Sequence, residues 1–493
     1  MARINTNIAS LIAQRNLGKA HADLGIRLER LATGLRINRG ADDPAGLIVS
    51  ERLRTERNGL SQAIANSERA SSVIATTEGY LAEVADLMNS IRGLIVEAAN
   101  TGGVSQEEIE ANQLQIDSAI ESITRISNTA SFAGLQLLNG NLEYLTSGVA
   151  TSAITGLSIF SAQFGNNATV PVQVEVISSA LTASLFLSGN TTGAPGALLS
   201  SVTIEIAGNL GVQALTLVAS TNLSDVVTAI NTLKESTGVS ASLVNPADQT
   251  SGMTFNSIGY GSDQFVSIRE TGLGGDFFST HAAQGVSNAI ERDTGADVSA
   301  IVNGALATGR GLVVSLNKPS LSLSMTLSTA YAQTTNSQKT FHITGGGATF
   351  QLGPNISSTQ QVGFGIQSIA GSRLGAIMID GVGYFLDSIK TGGANSIESG
   401  QARNAALVLD AAIEDVSILR GRLGAFERNT IQTNIRSLQI GLENITAAES
   451  IIRDADFAVE TAAFTRAQVL VQAGTSVLAT ANLTAQNVLA LLG

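Results

Sequence analysis

The sequence contains no cysteine, which excludes a disulfide framework, thiolate chemistry and any cysteine-based zinc site. A chain without cysteine also suits an oxidising exterior, provided that it holds together by other means. Charge is scarce as well. Asp, Glu, Lys and Arg make up 14% of the 493 residues, against about a quarter in an average domain. Repulsion therefore does little to keep copies of this chain apart, and Ala, Ser, Thr, Asn and Gln fill positions where charge would normally sit. The charge that remains sums to −12. Neutralising phosphates requires clustered Lys and Arg, so nucleic acid is excluded as a partner. No run of about 18 or more apolar residues occurs, so no membrane insertion is expected. The start, Met1 to Ile8, has no apolar core of the secretory-signal kind. The chain is therefore expected to be cytosolic, or exported by a route that reads no cleaved signal. Aromatics are nearly missing from both ends: only Tyr80 and Phe132 stand before the middle, and Phe426, Phe457 and Phe464 after it.

The last stretch, Ala467 to Gly493, has no charged residue at all. Leu470, Val477, Leu478, Leu489 and Leu492 recur there at helical spacing, with Ala and Gly between them. As one helix it is on the order of 40 Å long at 1.5 Å per residue. Gln472, Thr475, Asn482, Gln486 and Asn487 make it too polar for a bilayer. On a lone soluble chain, however, its apolar stripe would face water. The stripe needs protein to cover it, and more than one partner helix supplies. This places other copies of the same chain around it.

The N-terminal end carries the same texture. Ile4, Ile8 and Leu11 are spaced four and three apart, and Leu24, Leu28, Leu31 and Leu35 four, three and four, each set along one helical stripe. Asn38 to Pro44 breaks the helix. Asp43 is a good N-cap and Pro44 a good first helical residue. A second helix runs to about Asn100, with expected seam positions at Leu53, Leu60, Ile64, Ile74, Leu81, Ala85 and Met88. Arg57, Ser67, Ser71 and Glu78 interrupt this seam, which reads as an imperfect coiled coil. Ser105 and Glu108 form a capping box for a third helix with Ile109, Ile116, Ile120 and Ile123. Asn139-Gly140 signals a turn.

From about 143 to 395 alternation replaces the helical period. Val170, Val172, Val174 and Val176 alternate, as do Val202, Ile204 and Ile206, and later Leu321, Leu323, Met325 and Leu327. These are strands with one buried face. A helical pattern from Asn222 to Leu233 interrupts them. The sequence thus predicts an α+β multidomain chain. Its two ends form a long antiparallel α-helical coiled-coil bundle, with β-rich domains inserted in the middle. Segment 1–43 is expected to pair with 457–493, and 44–142 with 396–456. The outermost helices bury little as a pair, while ordering costs about 1–2 kcal/mol per residue. Order in them is therefore expected on assembly.

Ala32 to Gly46, with its Asn38, Asp42, Asp43 and Pro44, resembles the N-terminal signature of bacterial flagellins. So does the Ile4-Asn5-Thr6-Asn7 that precedes it. Asn128 to Gly140, Ser450 to Ala458 and Gln486 to Leu492 are similar to further family motifs. The region near 202–244 resembles a small repeat module found in flagellin inserts. The resemblance implies a homopolymer of many copies: an extracellular flagellar filament used for swimming. Its subunits are exported unfolded by the flagellar type III pathway, and no cofactor is involved. The terminal helices line an inner tube, the coiled coils an outer one, and the β domains the surface. Implied partners are a flagellar export chaperone and the hook-junction and filament-cap proteins. Innate immune receptors are also implied, but only weakly. Where the family presents a receptor-binding helix face, Arg92 and Leu94 fit the pattern. Ser90 stands in place of an Arg, Gly93 in place of a Glu, and Gln115 in place of another Glu. The same face read without the receptor is simply a filament contact.

Other classes fare less well. His21, His281 and His342 lie far apart, and no His-Glu-x-x-His occurs, so a zinc-protease insert is unsupported. The glycine runs at 345–347 and 392–393 are not followed by Lys-Ser/Thr and read as turns. The acid pairs Asp42-Asp43 and Asp454/Asp456 read as caps and loop bridges. A hook–filament junction protein shares the terminal plan but lacks the Ala-Gly after Asp-Asp-Pro. An enzyme would need a catalytic constellation that is missing. A stalked adhesin would not form long tubes of uniform width.

Overall fold

The structure is a computed structural model. It describes residues 6–490 except 166, 192–194, 272–277, 380 and 381, with side chains described as far as Leu483. The described residues fall into two compact units. The first comprises the chain to Ile74, Gln351–Ile356 and everything from Gly424. The second comprises Ala75–Phe350 and Ser357–Leu423.

Helix α1 (Ile8–Thr33) opens the first unit. The Asn7 side chain caps its start by accepting from the Ser10 N–H. Gly34, at φ +73°, ends it in the left-handed conformation that glycine adopts without strain. Helix α2 (Pro44–Ala98) then runs for 55 residues. Its buried face steps alternately by three and four through Leu60, Ala63, Ser67, Ala70, Ile74, Thr77, Leu81, Val84, Met88, Ile91, Ile95 and Ala98. This is an unbroken heptad seam. It corrects the expected grid at every second position. Ile64 and Ala85 are only half-buried, and Arg57, Ser71 and Glu78 lie beside the seam rather than in it. Three of the true occupants, Ala63, Ala70 and Thr77, are small or polar, so hydrophobicity does not mark them; the fourth, Val84, is apolar and displaces Ala85. Within the first unit Arg57 pairs with the buried Glu449 at 2.9 Å, and Arg453 with Glu51 at 2.9 Å. The Ser71 hydroxyl donates to Glu427 at 2.7 Å.

In the second unit the capping box starts α3 (Gln106–Thr129) as expected. The Ser105 N–H donates to Glu108 Oε2, and the Glu108 N–H to Ser105 Oγ. Ile116, Ile120 and Ile123 form its buried stripe. Gln113, fully buried among them, donates to the Ile389 carbonyl and accepts from the Ile397 N–H, each at 2.9 Å. The chain then becomes β-structured. One eight-stranded antiparallel sheet has the spatial order Tyr144–Ser147, Gln338–Gly346, Val170–Ser178, Ser299–Val302, Ala305–Arg310, Val313–Lys318, Leu321–Leu327, Ile154–Ala162. Its inward positions Val172, Val174, Val176, Leu323, Met325 and Leu327 close one core.

A second core lies between two four-stranded sheets. One is ordered Thr280–His281, Ser184–Leu187, Met253–Ser257, Val239–Leu243. The other is ordered Arg292–Thr294, Phe265–Glu270, Val202–Gly208, Val212–Leu217. Helix α4 (Leu223–Thr232) packs Leu223, Val226 and Ile230 into this core. Asp297 sits where the chain passes from this second core back into the eight-stranded sheet. It accepts from the Ser262 hydroxyl at 2.6 Å and from the Gly311 N–H at 2.7 Å. A side chain at Gly261 (φ +108°) would meet Gly311 Cα at 2.7 Å, so only glycine fits there.

The chain returns to helix in α5 (Ala402–Phe426). A π-type turn, Glu427–Ile431, leads into α6 (Gln432–Arg453), and α7 (Phe457–Ala490) follows. Asp454 to Asp456 form the joint between α6 and α7, where the sequence reads Asp454 and Asp456 as caps or loop bridges. The Asp456 side chain caps the new helix by accepting from the N–H groups of Ala458 and Val459.

Candidate functional site

The first unit brings α1 and α7 together as an antiparallel pair. Backbone bonds set the near end: the Arg36 N–H donates to the Arg453 carbonyl at 2.7 Å, and Ala455 to Gly34 at 2.9 Å. At the far end the Asn7 amide donates to the Ala481 carbonyl, and the Ser10 hydroxyl to Asn482, both at 2.9 Å. The sequence alone suggests that these helices order on assembly; here both are helical and packed on each other. The reason behind that expectation survives as thin burial. Ser10 and Ala13 are the buried residues of α1, and on the described part of α7 they are Glu460 and Ala467.

The expected assembly residues are therefore placed mostly in the open. Ile8, Leu11, Leu28, Leu470 and Val477 are exposed, Leu11 at 61%. Leu24, Leu31, Leu35 and Leu478 are half-buried. Ile4 and Leu492 lie outside the described residues, as does the side chain of Leu489. Ile12, Ile26, Val469 and Leu483 extend the exposed apolar surface beyond the positions picked from sequence. Between the helices, Ala13, Leu17, Ala20, Leu470, Gly474 and Val477 line part of an open groove of about 500 Å³.

Glu460 is the polar residue that sequence reading missed. It is 5% exposed. It accepts from Arg27 through both oxygens, at 3.2 and 3.0 Å, and from Arg30 at 3.0 Å. Burial pushes its carboxyl upward, but the hydrogen bonds from Arg27 and Arg30 outweigh this and hold it below the ordinary value. The same bond to Glu460 raises the Arg27 guanidinium. A signal was available in the sequence. Glu460 and Arg466 are the only charges in α7, and Arg27 and Arg30 lie three apart, on one helix face.

The loop Asn38–Pro44 is a set of caps. Asp42 accepts from the N–H groups of Asn38 and Arg39 at 3.0 and 2.9 Å, and these bonds hold its carboxyl below the ordinary value. Asn38 donates to the Leu35 carbonyl, and Asp43 accepts from the Gly46 N–H at 2.9 Å, just after Pro44 starts α2. A side chain at Gly46 would come within 2.8 Å of the buried Ile37, so a small residue is needed two positions into the helix.

In the second unit the receptor-face candidates are open. Ser90, Arg92 and Gln115 are exposed and Leu94 is half-buried. Ser90 spends its hydroxyl on the Asp86 carbonyl, and Arg92 pairs with Asp410 at 3.4 Å. Among the described residues no three His, Asp or Glu side chains are grouped to hold a metal ion, and no helix is long and apolar enough to cross a membrane.

Family models agree with this plan. The bacterial flagellin N-terminal helical region matches residues 4–143, and the C-terminal helical region matches 407–492. The flagellin hook IN motif matches residues 201–259, overlapping the module seen near 202–244 and reaching the strand Met253–Ser257. A flagellin of Salmonella choleraesuis is 28% identical over 516 residues, covering 99% of each chain. The B-type flagellin of Pseudomonas aeruginosa is 29% identical over 540 residues, again 99% of each. Among solved structures, the flagellar junction protein FlgL of Legionella pneumophila is 11% identical and covers 82% of this chain and 99% of its own, at a TM-score of 0.28. With both helical ends matched by their family models and full-length relatives of that one name, the chain belongs to the bacterial flagellin family.

Proposed function

We propose that this chain is the repeating subunit of an extracellular flagellar filament, and that α1 and α7 are its polymerising surface. The observation that carries the proposal is the open apolar stripe on a helix pair whose second member, α7, has only two charged residues, Glu460 and Arg466. Covering a Leu or Val side chain contributes roughly 1.5–3 kcal/mol, and the stripe holds many. Neighbouring copies cover it, because low charge lets identical surfaces approach closely. In the free chain so thinly buried a pair opens readily, and neighbours make it persistent. The segments 1–43 with 457–493 form the inner layer of the tube. Those of 44–142 with 396–456 form the next, and 143–395 faces solvent.

Family membership supports the finer parts of the reading. Subunits leave the cell unfolded through the flagellar type III pathway, delivered by an export chaperone. They assemble between hook-junction and filament-cap proteins, and rotation of the filament drives swimming. The exposed face at Ser90, Arg92, Leu94 and Gln115 engages innate immune receptors weakly, since charged contacts at positions 90, 93 and 115 are missing and a lost hot-spot residue costs about 2 kcal/mol or more. The test is negative-stain microscopy of purified chain after seeding. Long tubes of uniform width are expected. Collars that stop after one turn would favour a junction protein, and unaggregated monomer would refute both.

A further inference from the structure

Glu460 is charged, 5% exposed and shared by two arginines of another helix, in a pair that buries few apolar side chains. Three features converge on it. It lies in the first turn of α7, where the helix dipole favours a negative charge. Arg30 lies in the last turn of α1, where the dipole favours a positive one. The cluster therefore joins the positive end of one helix to the negative end of the other. It is also set apart: toward the far end the described residues of the pair meet through neutral groups, Leu17 beside Gly474 and the amide and hydroxyl bonds of Asn7 and Ser10. Neutral small residues let two helices slide or part, whereas a buried carboxylate held by two arginines of the other helix fixes one register.

From this we infer that Glu460 is a positioning residue for assembly. With Arg27 and Arg30 it locks α7 alongside α1, and so sets which apolar side chains of the two helices face the neighbouring copies together. Asp23 supports it from α1 by holding Arg27 at 3.2 Å. The inference rests on the filament reading but can fail separately from it. An apolar replacement would not serve. The arginines would keep their charges: Arg27 would retain only Asp23, and the half-buried Arg30 would lose its ion-pair partner, which destabilises the pair.

The experiment measures the critical concentration: the monomer left in solution when full-length chain grows on wild-type filament fragments. Glu460→Gln and the double variant Arg27→Gln/Arg30→Gln are each expected to raise it at least tenfold. The triple variant is expected to be no worse than Glu460→Gln alone, because it leaves no orphaned charge. Glu460→Asp, which keeps the charge, is expected to stay within about threefold of wild type. A Glu460→Gln chain with wild-type critical concentration overturns the inference. So does a triple variant that equals the product of the two separate effects, or an Asp variant as poor as Gln. Thermal melting of the β-structured unit, unchanged across the series, separates these effects from misfolding. If wild-type chain adds to no seed, the filament reading itself fails and takes this inference with it.

Discussion

Truncation after Asp456 divides the molecule where its two kinds of stability part. It removes α7 and with it Glu460, Ala467 and the partners of Asn7 and Ser10. It leaves both β cores and the α2 seam whole, since none of their buried residues lies beyond position 456. Ala467, the buried apolar side chain lost, contributes only about 0.8 kcal/mol, the value of one buried methylene-sized group. The main unfolding transition should thus move by no more than about 4 °C, at roughly 2–4 °C per kcal/mol for a unit of this size. Assembly should respond very differently. Val469, Leu470 and Val477 are each more than half exposed in the single chain. At the lower end of the usual range, full burial of all three is worth about 4.5 kcal/mol; covering the half that is still exposed contributes about 2.5 kcal/mol, or roughly sixtyfold in critical concentration at 1.4 kcal/mol per tenfold. The assay pairs calorimetry of the free chain with sedimentation of seeded polymer at rising concentration. Tubes grown by the truncated chain near the wild-type critical concentration would refute the reasoning. So would collapse of the main transition, which would show that α7 belongs to the core of the monomer.

Three further predictions test other parts of the molecule. Met88 is fully buried in the α2 seam, so Met88→Ala should cost about 2–5 kcal/mol in denaturant unfolding, while Ile64→Ala, beside the seam, should cost clearly less; an Ile64→Ala cost equal to that of Met88→Ala would restore the grid expected from sequence. The Asp297 carboxyl is held below its ordinary value by the Ser262 hydroxyl first, with the Gly311 and Ser262 N–H groups adding to it. A lowered folded value means stabilisation that is complete above about pH 4, the unfolded value, and is lost as pH falls through the folded one. Asp297→Asn should therefore be less stable than wild type at pH 7, with the gap closing below about pH 4, as followed by melting temperature against pH. In a receptor reporter assay the purified wild-type monomer should signal weakly, and Ser90→Arg with Gly93→Glu and Gln115→Glu should raise the signal; a full-strength wild-type response contradicts the reading.

What could be read from the sequence followed from how far each signal reaches along the chain. Strand alternation at Val170–Val176 and Leu321–Leu327, the Ser105/Glu108 cap and the Asp43-Pro44 helix start are set by neighbours within a few residues, and they stand in the structure as expected. The α2 seam was half legible. Leu60, Ile74, Leu81 and Met88 are large and apolar, but the alternate row holds Ala63, Ala70 and Thr77, which are buried although they are small or polar. Glu460 is marked in the sequence as the one acid of α7, but its role is not legible there, for the opposite reason. A lone acid in a neutral helix reads as solvated until its partners, more than 400 positions earlier in the chain, are known.

The π-type turn at Glu427–Ile431 joins these two lessons. Leu409, Val416 and Leu423 repeat every seven residues, and so do Ile431, Leu438 and Ile445, yet eight residues separate Leu423 from Ile431. A reading that only follows steps of three and four passes across this gap without registering a change of phase. In a regular helix the eight residues would turn Ile431 about 80° away from the direction of the buried Leu423. Ile431 is nevertheless fully buried. Widening one turn absorbs the additional residue, which is what single π-turns do inside α-helices. The sequence thus carries the phase slip in plain sight. Its structural meaning becomes visible only because both halves of the helix must keep an apolar face covered.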